Sequence, residues 1–424
     1  MPDNALRLDN PPPVVAVRMC YGHLRAAAAL ADHWGTEIVE ADREPNADVT
    51  DRLVWSLARR GYHALSRLSQ RGVGHAMLEK LLDRLTAIDD REPPSDPHTP
   101  RPVRILDTLI RRGFGKTLGR RLDHGGTPAV ATFYANAIAA ERHSSVPVAC
   151  VVTDSHVHRV WAPRRPAASR IHYLVPVEET ATCLERYGVP RRRIRTTGFP
   201  LPPELVGTAG SEILAENLRR RLGRLRRSTE SSGPERPIRL TVAIGGAGAQ
   251  AAHVRTLLAE LRADLVGRRF ALTLVAGTHQ GIGRRFRAWA DEARRSGVPP
   301  ENLEVLSAVE YAEYYHRFNR VLADTDLLWT KPSELVFYAA LGLPLILEPA
   351  MGDHERRNRT LVVDAGAAAD RPAPGEIAAD LRRRLADGWF LDAAENGRAR
   401  LIARGTERIA SYCSKELYGE FTGN

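Results

Sequence analysis

The stretch from Leu327 to Asn358 constrains the fold of this chain more than any other part of it. It consists of an apolar strand, a polar turn, a short helix, a second apolar strand and a charged loop. The turn, Thr330 to Glu334, lies between the carboxyl end of a strand and the start of the next helix. In a doubly wound α/β domain this is where phosphates and sugars bind. The sequence therefore predicts a parallel sheet with a binding site at this edge.

The same alternation of apolar β-branched runs and amphipathic helices continues through the chain and predicts parallel sheets. Both halves begin with a strand, a glycine-containing turn and a helix. In the first half, Cys20 to His23 form the turn and Leu24 to His33 the helix. The predicted strands are 14–17, 36–40, 128–133, 146–153, 171–176, 238–244, 270–276, 304–306, 327–329 and 343–347, and 52–88 is predicted to be helical.

A solvated tract near residues 228–237 marks the boundary between the halves. We predict an α/β protein of two Rossmann-like doubly wound domains that face each other across a cleft. The predicted parts are an N-terminal acceptor-side domain (1–207), a linker (208–237), a C-terminal nucleotide-sugar domain (238–395) and a C-terminal helix (396–424) that can pack back on the first domain.

Length and composition agree with two folded domains, because 424 residues with 43% hydrophobic content can bury two cores. No apolar run reaches the roughly 20 residues that span a bilayer. The first residues lack the basic start and apolar core of a signal peptide, so we expect a cytoplasmic protein. The cysteines show neither zinc nor redox spacing and are expected to be reduced and mostly buried: Cys20, Cys150, Cys183 and Cys413.

The chain carries a formal charge of +10, which attracts phosphate groups of any kind. Its arginine-rich runs, 111–121 and 219–227, lie in helical patterns that are typical of solvated faces. No aromatic residues interleave with them as a base-stacking groove requires, so no nucleic-acid partner is expected. A peripheral contact with anionic lipid at the inner membrane face is compatible with these runs.

Three stretches follow one another in a fixed order. The first stretch consists of Val151–Asp154 and the segments 158–161, 173–179, 187–190 and 197–200. The second stretch is the glycine turn 245–248. The third stretch consists of the segments 329–331, 342–344 and 354–358. In this order they resemble the inverting glycosyltransferases of the GT-B fold. The nearest group contains monogalactosyldiacylglycerol synthase, the processive diacylglycerol glucosyltransferases and, more distantly, MurG.

This resemblance implies that a hexose passes from a UDP-sugar to a hydroxyl of a lipid or other small amphipathic acceptor. The pyrophosphate that leaves can be held by backbone N–H groups at glycine turns and helix N-termini, without a metal or cofactor. Gly245, Gly246 and Gly248 are the candidates, although an ordinary strand-to-helix turn also favours glycine. Lys331, at a strand end, and Ser333 in the same turn are further donor-side candidates; a surface cation is the alternative for Lys331.

The helix before the Gly-x-Pro turn departs from the family pattern. In the resembling family a glutamate in this helix holds the nucleotide ribose, but five residues before Gly342 this chain has Phe337. The nearest acid is Glu334, one helical turn earlier. Residues three apart share a helix face, so we hypothesise that Glu334 contacts the ribose. Phe337 equally fits an altered donor or a lost activity.

The charged loop matches the family's Gln-Glu-x-x-Asn element at His354, Glu355 and Asn358, with histidine in place of glutamine. The resemblance implies that these side chains face the hydroxyls of the donor sugar, where His354 can donate a hydrogen bond. The alternative is a solvated helix N-terminus that Asp353 and Glu355 stabilise.

Transfer to an alcohol needs a base, and histidine titrates in the right range for that task. His23 is the candidate, because it follows the first strand where the resembling lipid enzymes carry a Gly-Gly-His element. Here only Tyr21-Gly22-His23 remains of that element. Asp154 is the candidate that orients the base or the acceptor. Tyr21, His158 and Trp161 are placed on the acceptor side, with loop hydrogen bonding and core packing as alternative roles.

Other chemistries lack their signatures, since the chain has no zinc His-Glu-x-x-His pair, phosphate-binding Gly-Lys-Ser/Thr turn or Gly-x-Ser-x-Gly elbow. Two alternatives remain within the same fold. One is a catalytically inactive module that binds a nucleotide sugar or a partner, which Phe337 favours. The other is a UDP-sugar 2-epimerase, which requires several acidic residues around the sugar.

Overall fold

The computed structural model describes residues 10–19, 21–68, 99–208, 210–229, 236–243 and 251–422. Within them, the strands form two six-stranded sheets in which all neighbours are parallel, with the orders β2-β1-β3-β4-β5-β6 and β12-β11-β10-β7-β8-β9. The strands are β1 (Val14–Ala16), β2 (Ile38–Glu40), β3 (Ala129–Ala131), β4 (Val148–Val151), β5 (His172–Val175), β6 (Ile194–Thr196), β7 (Ile238–Ala243), β8 (Phe270–Gly277), β9 (Leu303–Ser307), β10 (Leu327–Thr330), β11 (Leu345–Leu347) and β12 (Ala368–Asp370).

Helices connect successive strands and cover both sheets. The α-helices are α1 (Tyr21–Trp34), α2 (Val49–Leu68), α3 (Arg101–Arg111), α4 (Lys116–Gly125), α5 (Tyr134–His143), α6 (Glu178–Arg186), α7 (Pro203–Val206), α8 (Ile213–Thr229), α9 (Ala251–Glu260), α10 (Arg262–Val266), α11 (Gln280–Arg295), α12 (Tyr311–Asp324), α13 (Gly352–Asp364), α14 (Ile377–Ala386), α15 (Trp389–Arg400), α16 (Gly405–Tyr412) and α17 (Tyr418–Thr422). Residues Glu334–Leu341 form a 3-10 helix and Cys413–Leu417 a π-helical turn.

Five strands are buried along their whole length, as is typical of parallel strands covered by helices on both faces. Each residue of β1, β3, β4, β5 and β10 is buried. These are the apolar runs that the sequence predicts as strands, and the predicted architecture of two doubly wound Rossmann-like domains is confirmed.

Several local predictions differ from the structure. Helix α1 begins at Tyr21, so Tyr21 to His23 of the predicted turn lie in its first helical turn. The charged loop is helical instead, because Gly352–Asp364 form α13. Strands β6 and β12 were not predicted, since each has three residues at the edge of a sheet and a weak apolar pattern. The predicted helix 52–88 is α2 as far as Leu68, and the rest of that range lies outside the described residues.

The segment after the second sheet returns to the first one. Ile409 of α16 and Cys413 and Leu417 of the π-helical turn pack in one core with Val14 and Ala16 of β1. No described helix combines the length and the apolar composition that crossing a bilayer requires. Cys150, Cys183 and Cys413 are buried, and Cys20 lies outside the described residues.

Helix α8 joins the second sheet through a fully buried arginine. Arg221 donates from Nε to the carbonyl of Thr325 (2.6 Å), from Nη1 to that of Leu341 (2.7 Å) and from Nη2 to that of Leu322 (3.2 Å). These carbonyls lie at the ends of α12 and the 3-10 helix, where intrahelical donors run out; that of Leu322 also accepts from the N–H of Thr325 (3.3 Å). Burial lowers the pKa of Arg221 to about 10, so the side chain stays charged at neutral pH.

We predict that Arg221→Met lowers the free energy of unfolding by about 2–4 kcal/mol, because buried carbonyls lose their donors. Denaturant unfolding measures the change. The matched control is Arg219→Met on the same helix, whose side chain is 64% exposed and whose loss should have little effect. Equal stability of the two variants would contradict this account of α8.

Candidate active site

The carboxyl edge of the first sheet brings together residues that follow β1, β3 and β4, which are neighbours in the sheet. His23 lies in the first turn of α1 and is 7% exposed. Its Nδ1 is 3.2 Å from Oγ1 of Thr153, and its ring packs edge-on against Phe133 at 4.6 Å between centroids. Trp161 lies 6.1 Å from the same ring. The predicted base is therefore held in a defined orientation at this edge.

Thr153 is a site residue that sequence reasoning missed. A hydroxyl at a strand end carries little signal alone, although it directly precedes the predicted Asp154. The hydrogen bond to His23 joins residues 130 positions apart, which only the sheet order reveals.

Asp154 and Ser155 contact the second domain through Asn358, a completely buried residue of α13. The amide Oδ1 of Asn358 accepts from the backbone N–H (2.9 Å) and the hydroxyl (2.7 Å) of Ser155. Its Nδ2 donates to Oδ1 of Asp154 (3.2 Å) and to the carbonyl of Pro332 (3.4 Å). The structure thus brings the predicted Asp154 and Asn358 together across the domain interface, with Ser155 as an unpredicted partner.

The residues of the second domain that were predicted for the donor side form a second group. Nζ of Lys331 lies 2.8 Å from Oε1 of Glu355, and Oε2 of this carboxylate accepts from the N–H of Met351 (2.8 Å). Glu355 is buried, so the pair orders the beginning of α13. Ser333 directly precedes the 3-10 helix and its side chain makes no capping hydrogen bond there.

His158 and His354 face each other from opposite domains, with ring centroids 6.2 Å apart. Tyr21, predicted for the acceptor side, lies in the domain interface. Its hydroxyl accepts from the N–H of Thr278 (2.9 Å) and bonds the Thr278 hydroxyl (2.7 Å). Trp161 is buried against His23, so it combines core packing with a place beside the predicted base.

Phe337 and Glu334 have different surroundings although both belong to the 3-10 helix. Phe337 is buried and stacks on Phe199 of the first half, with centroids 5.1 Å apart and planes at 10°. Glu334 forms an ion pair with Arg25 of α1 at 3.5 Å and lies against Gly22. The phenylalanine therefore fills the interdomain core. Ribose contact by Glu334 stays a prediction.

The predicted phosphate turn, Gly245, Gly246 and Gly248, lies outside the described residues. The strand before it, β7, ends beside the Lys331 turn, because the Thr330 hydroxyl donates to the carbonyl of Ala243 (2.9 Å). Strands β7 and β10 therefore end at the same edge of the sheet.

A buried carboxylate near this edge was not predicted. Glu348, after β11, is 1% exposed and accepts from Nε1 of Trp329 (2.8 Å). Its second oxygen lies 3.1 Å from Nδ1 of His253 and 3.1 Å from Nε of Arg371. The acid thus joins β10, α9 and β12, and no sequence pattern distinguishes it from an exposed loop acid.

One group of potential metal ligands occurs among the described residues: Asp32, Glu204 and His316, whose ligand atoms lie within 4.8 Å of one another. Asp32 is nine residues from His23 on α1, or about 13 Å along the helix. Nδ1 of His316 is 2.5 Å from Oε1 of Glu204, which is the geometry of an ion pair. The group lies apart from the candidate site.

No family model matches the chain. Among curated proteins, it is 25% identical over 245 residues to a processive diacylglycerol β-glucosyltransferase of Bacillus cytotoxicus, covering 57% of this chain and 55% of that protein. It is 27% identical over 243 residues to a UDP-N-acetylglucosamine–N-acetylmuramyl-(pentapeptide) pyrophosphoryl-undecaprenol N-acetylglucosamine transferase of Aeromonas hydrophila. This match covers 54% of this chain and 57% of that protein. The chain thus spans about half the length of these relatives.

Among solved structures, the chain is similar to MnaA of S. aureus in complex with UDP. The TM-score is 0.51 at 11% identity, and the likeness covers 96% of this chain and 97% of that one. Such a likeness shows the fold alone. Together with the two parallel sheets, the comparisons show that the chain has the GT-B fold and resembles the lipid and peptidoglycan glycosyltransferases named above.

Proposed function

We propose that the chain is an inverting glycosyltransferase that moves a hexose from a UDP-sugar to a hydroxyl of a lipid or other amphipathic acceptor. The observation that carries this proposal is the contact between Asp154 and Asn358 across the domain interface. Asp154 directly follows Thr153, the hydrogen-bond partner of His23. The candidate base of one domain therefore lies beside the candidate donor-sugar residues of the other.

On the acceptor side, the His23 imidazole takes the proton of the attacking hydroxyl. The hydrogen bond between Nδ1 and Thr153 fixes the ring, so that Nε2 is the nitrogen that takes the proton of each acceptor. The alcohol oxygen forms a bond to the anomeric carbon as the bond from that carbon to the diphosphate oxygen breaks. Attack from the side opposite the leaving group inverts the anomeric centre.

On the donor side, the protein holds the negative charge of the departing UDP. Lys331 lies at the end of β10, and α13 directs its N-terminal N–H groups toward the same edge. A lysine and helix N-terminal groups stabilise a diphosphate without a metal ion, because their charge is already in place. His354 in the first turn of α13 then contacts the sugar hydroxyls, while Asn358, whose amide is fully paired, holds Asp154 and Ser155 of the first domain.

The acceptor class follows from the names of the two curated relatives, which act on diacylglycerol and on an undecaprenol-linked acceptor. A water-insoluble acceptor requires the enzyme to meet a membrane. Apolar side chains on α2 recur every fourth residue and are exposed: Val49 (73%), Leu53 (58%) and Leu57 (58%). Ile105 of α3 is also exposed, between Arg101 and Arg112. This apolar stripe among arginines suits an anionic bilayer surface.

We predict that His23→Ala lowers transfer by about 10²- to 10⁴-fold, the usual contribution of a general base. Product formation is measured with UDP-glucose, UDP-galactose and UDP-GlcNAc on diacylglycerol, and UDP binding by calorimetry should persist. The control is His33→Ala, in the last turn of the same helix. Unchanged turnover would remove His23 from the mechanism, and donor binding without any wild-type turnover would identify an inactive binding module.

Asn358→Asp should open the cleft. The new carboxylate cannot donate to Asp154 and places a second negative charge against it, at a position that is itself fully buried. Small-angle scattering should show a larger radius of gyration, and the melting temperature should fall. Asn396→Asp, on α15, is the matched control. Identical scattering curves for wild type and Asn358→Asp would contradict an interface closed by this residue.

The double variant Leu53→Glu/Leu57→Glu should lose binding to vesicles that contain phosphatidylglycerol, because it places charges where acyl chains must be contacted. Co-sedimentation measures the bound fraction, and phosphatidylcholine vesicles test the dependence on anionic lipid. Val266→Glu, an exposed position of the second domain, serves as control. Undiminished sedimentation of the double variant would exclude the α2 stripe as the membrane contact.

A further inference from the structure

Arg25 is the most buried cation of α1, with 1% exposure, and it follows the candidate base by two residues. Its polar contacts lie in the second domain. Nη2 donates to the hydroxyl of Tyr314 (2.9 Å), a residue 289 positions later in the chain. A side chain that belongs to the first domain is therefore enclosed by the second.

Three aromatic rings surround the guanidinium. Its Cζ lies 4.8 Å from the centroid of Phe318, 5.6 Å from that of Tyr314 and 5.9 Å from that of Tyr338. Each distance is within the range in which a ring face attracts a cation, and the attraction grows when water is excluded. An arginine is well suited to this place, because its planar group stacks on rings and keeps its charge when buried.

Glu334 supplies the opposite charge. Its Oε1 is 3.5 Å from Nε of Arg25, and its side chain is 12% exposed. The same glutamate lies against the backbone of Gly22, where an added Cβ would be 3.4 Å from Cβ and Oε2 of Glu334. His23 therefore lies between two residues of α1, Gly22 and Arg25, that both contact this one acid.

We propose that Arg25 is a positioning residue, which fixes His23 relative to the donor-binding domain by a clamp of Arg25, Glu334 and the rings of Tyr314, Phe318 and Tyr338. The inference rests on the proposed function. It assigns Glu334 to the clamp rather than to a ribose. A base on a clamped helix keeps its distance to the donor carbon, and a displacement of about 1 Å costs on the order of 100-fold in rate.

The experiment is a double-mutant cycle with Arg25→Met, Glu334→Gln and the double variant, together with Arg25→Lys. We expect Arg25→Met to lower kcat by about 10- to 100-fold with little change in the Kd of UDP. Glu334→Gln in the Arg25→Met background should cause no further loss, because the partner of the acid is already absent. Arg25→Lys should recover part of the rate, since the charge returns.

The ribose alternative gives a different pattern. If Glu334 holds the ribose, Glu334→Gln raises the Kd of UDP that calorimetry measures. In the double variant, the fold loss in transfer rate is then the product of the losses caused by Glu334→Gln and Arg25→Met. Either result would overturn the clamp. Arg221→Met is the matched control, because Arg221 is equally buried but bonds carbonyls of Leu322, Thr325 and Leu341. The change in melting temperature caused by Arg221→Met should add to the change caused by Glu334→Gln, because Arg221 does not contact Glu334.

Two readouts do not depend on transfer. The fall in melting temperature of the double variant should differ from the sum of the falls caused by Arg25→Met and Glu334→Gln alone. Small-angle scattering should show a larger radius of gyration for Arg25→Met, because the two domains are held together less tightly. Coupling without wild-type turnover would support the clamp and refute the proposed function. Turnover with additive melting temperatures and unchanged scattering would refute the clamp alone.

Discussion

The burial of α1 between the two domains is the contact on which the rest of this structure depends. Every residue from Gly22 to Ala31 is buried. One face, with Leu24, Ala27 and Leu30, packs in the core of the first sheet, while Ala26 packs with residues of the second domain. A helix enclosed on both sides needs small side chains, which explains its alanine run. Because His23 lies on this helix, the contact that joins the domains also places the candidate base.

The same constraint accounts for the residues that fill the interface. Phe337 stacks on Phe199 and fills space between the domains. Gly22 lies against Glu334, and Gly277 leaves room for Tyr21, whose hydroxyl would lie 2.7 Å from an added Cβ. These residues fit a closed arrangement of the domains. Asn358, with both ends of its amide paired, fits the same arrangement from the other side of the cleft.

The fold follows from the sequence because buried parallel strands are continuous apolar runs that hydrophobic periodicity detects. Short edge strands such as Ile194–Thr196 have only three residues and lack a continuous apolar run. The early start of α1 was missed since Tyr21-Gly22 has the composition of a turn. In the site, His23, Asp154 and Asn358 were predicted. Arg25 was not, because an arginine on a helix is typical of a solvated face and its partner Tyr314 is distant in sequence.

The most direct test of the account is a crystal structure with a UDP-sugar bound. The account predicts that the diphosphate lies beside Lys331 at the carboxyl edge of the second sheet, with the anomeric carbon facing His23 across an acceptor-sized gap. A nucleotide bound away from the interface of the two domains, or a sugar turned away from the His23 imidazole, would contradict it.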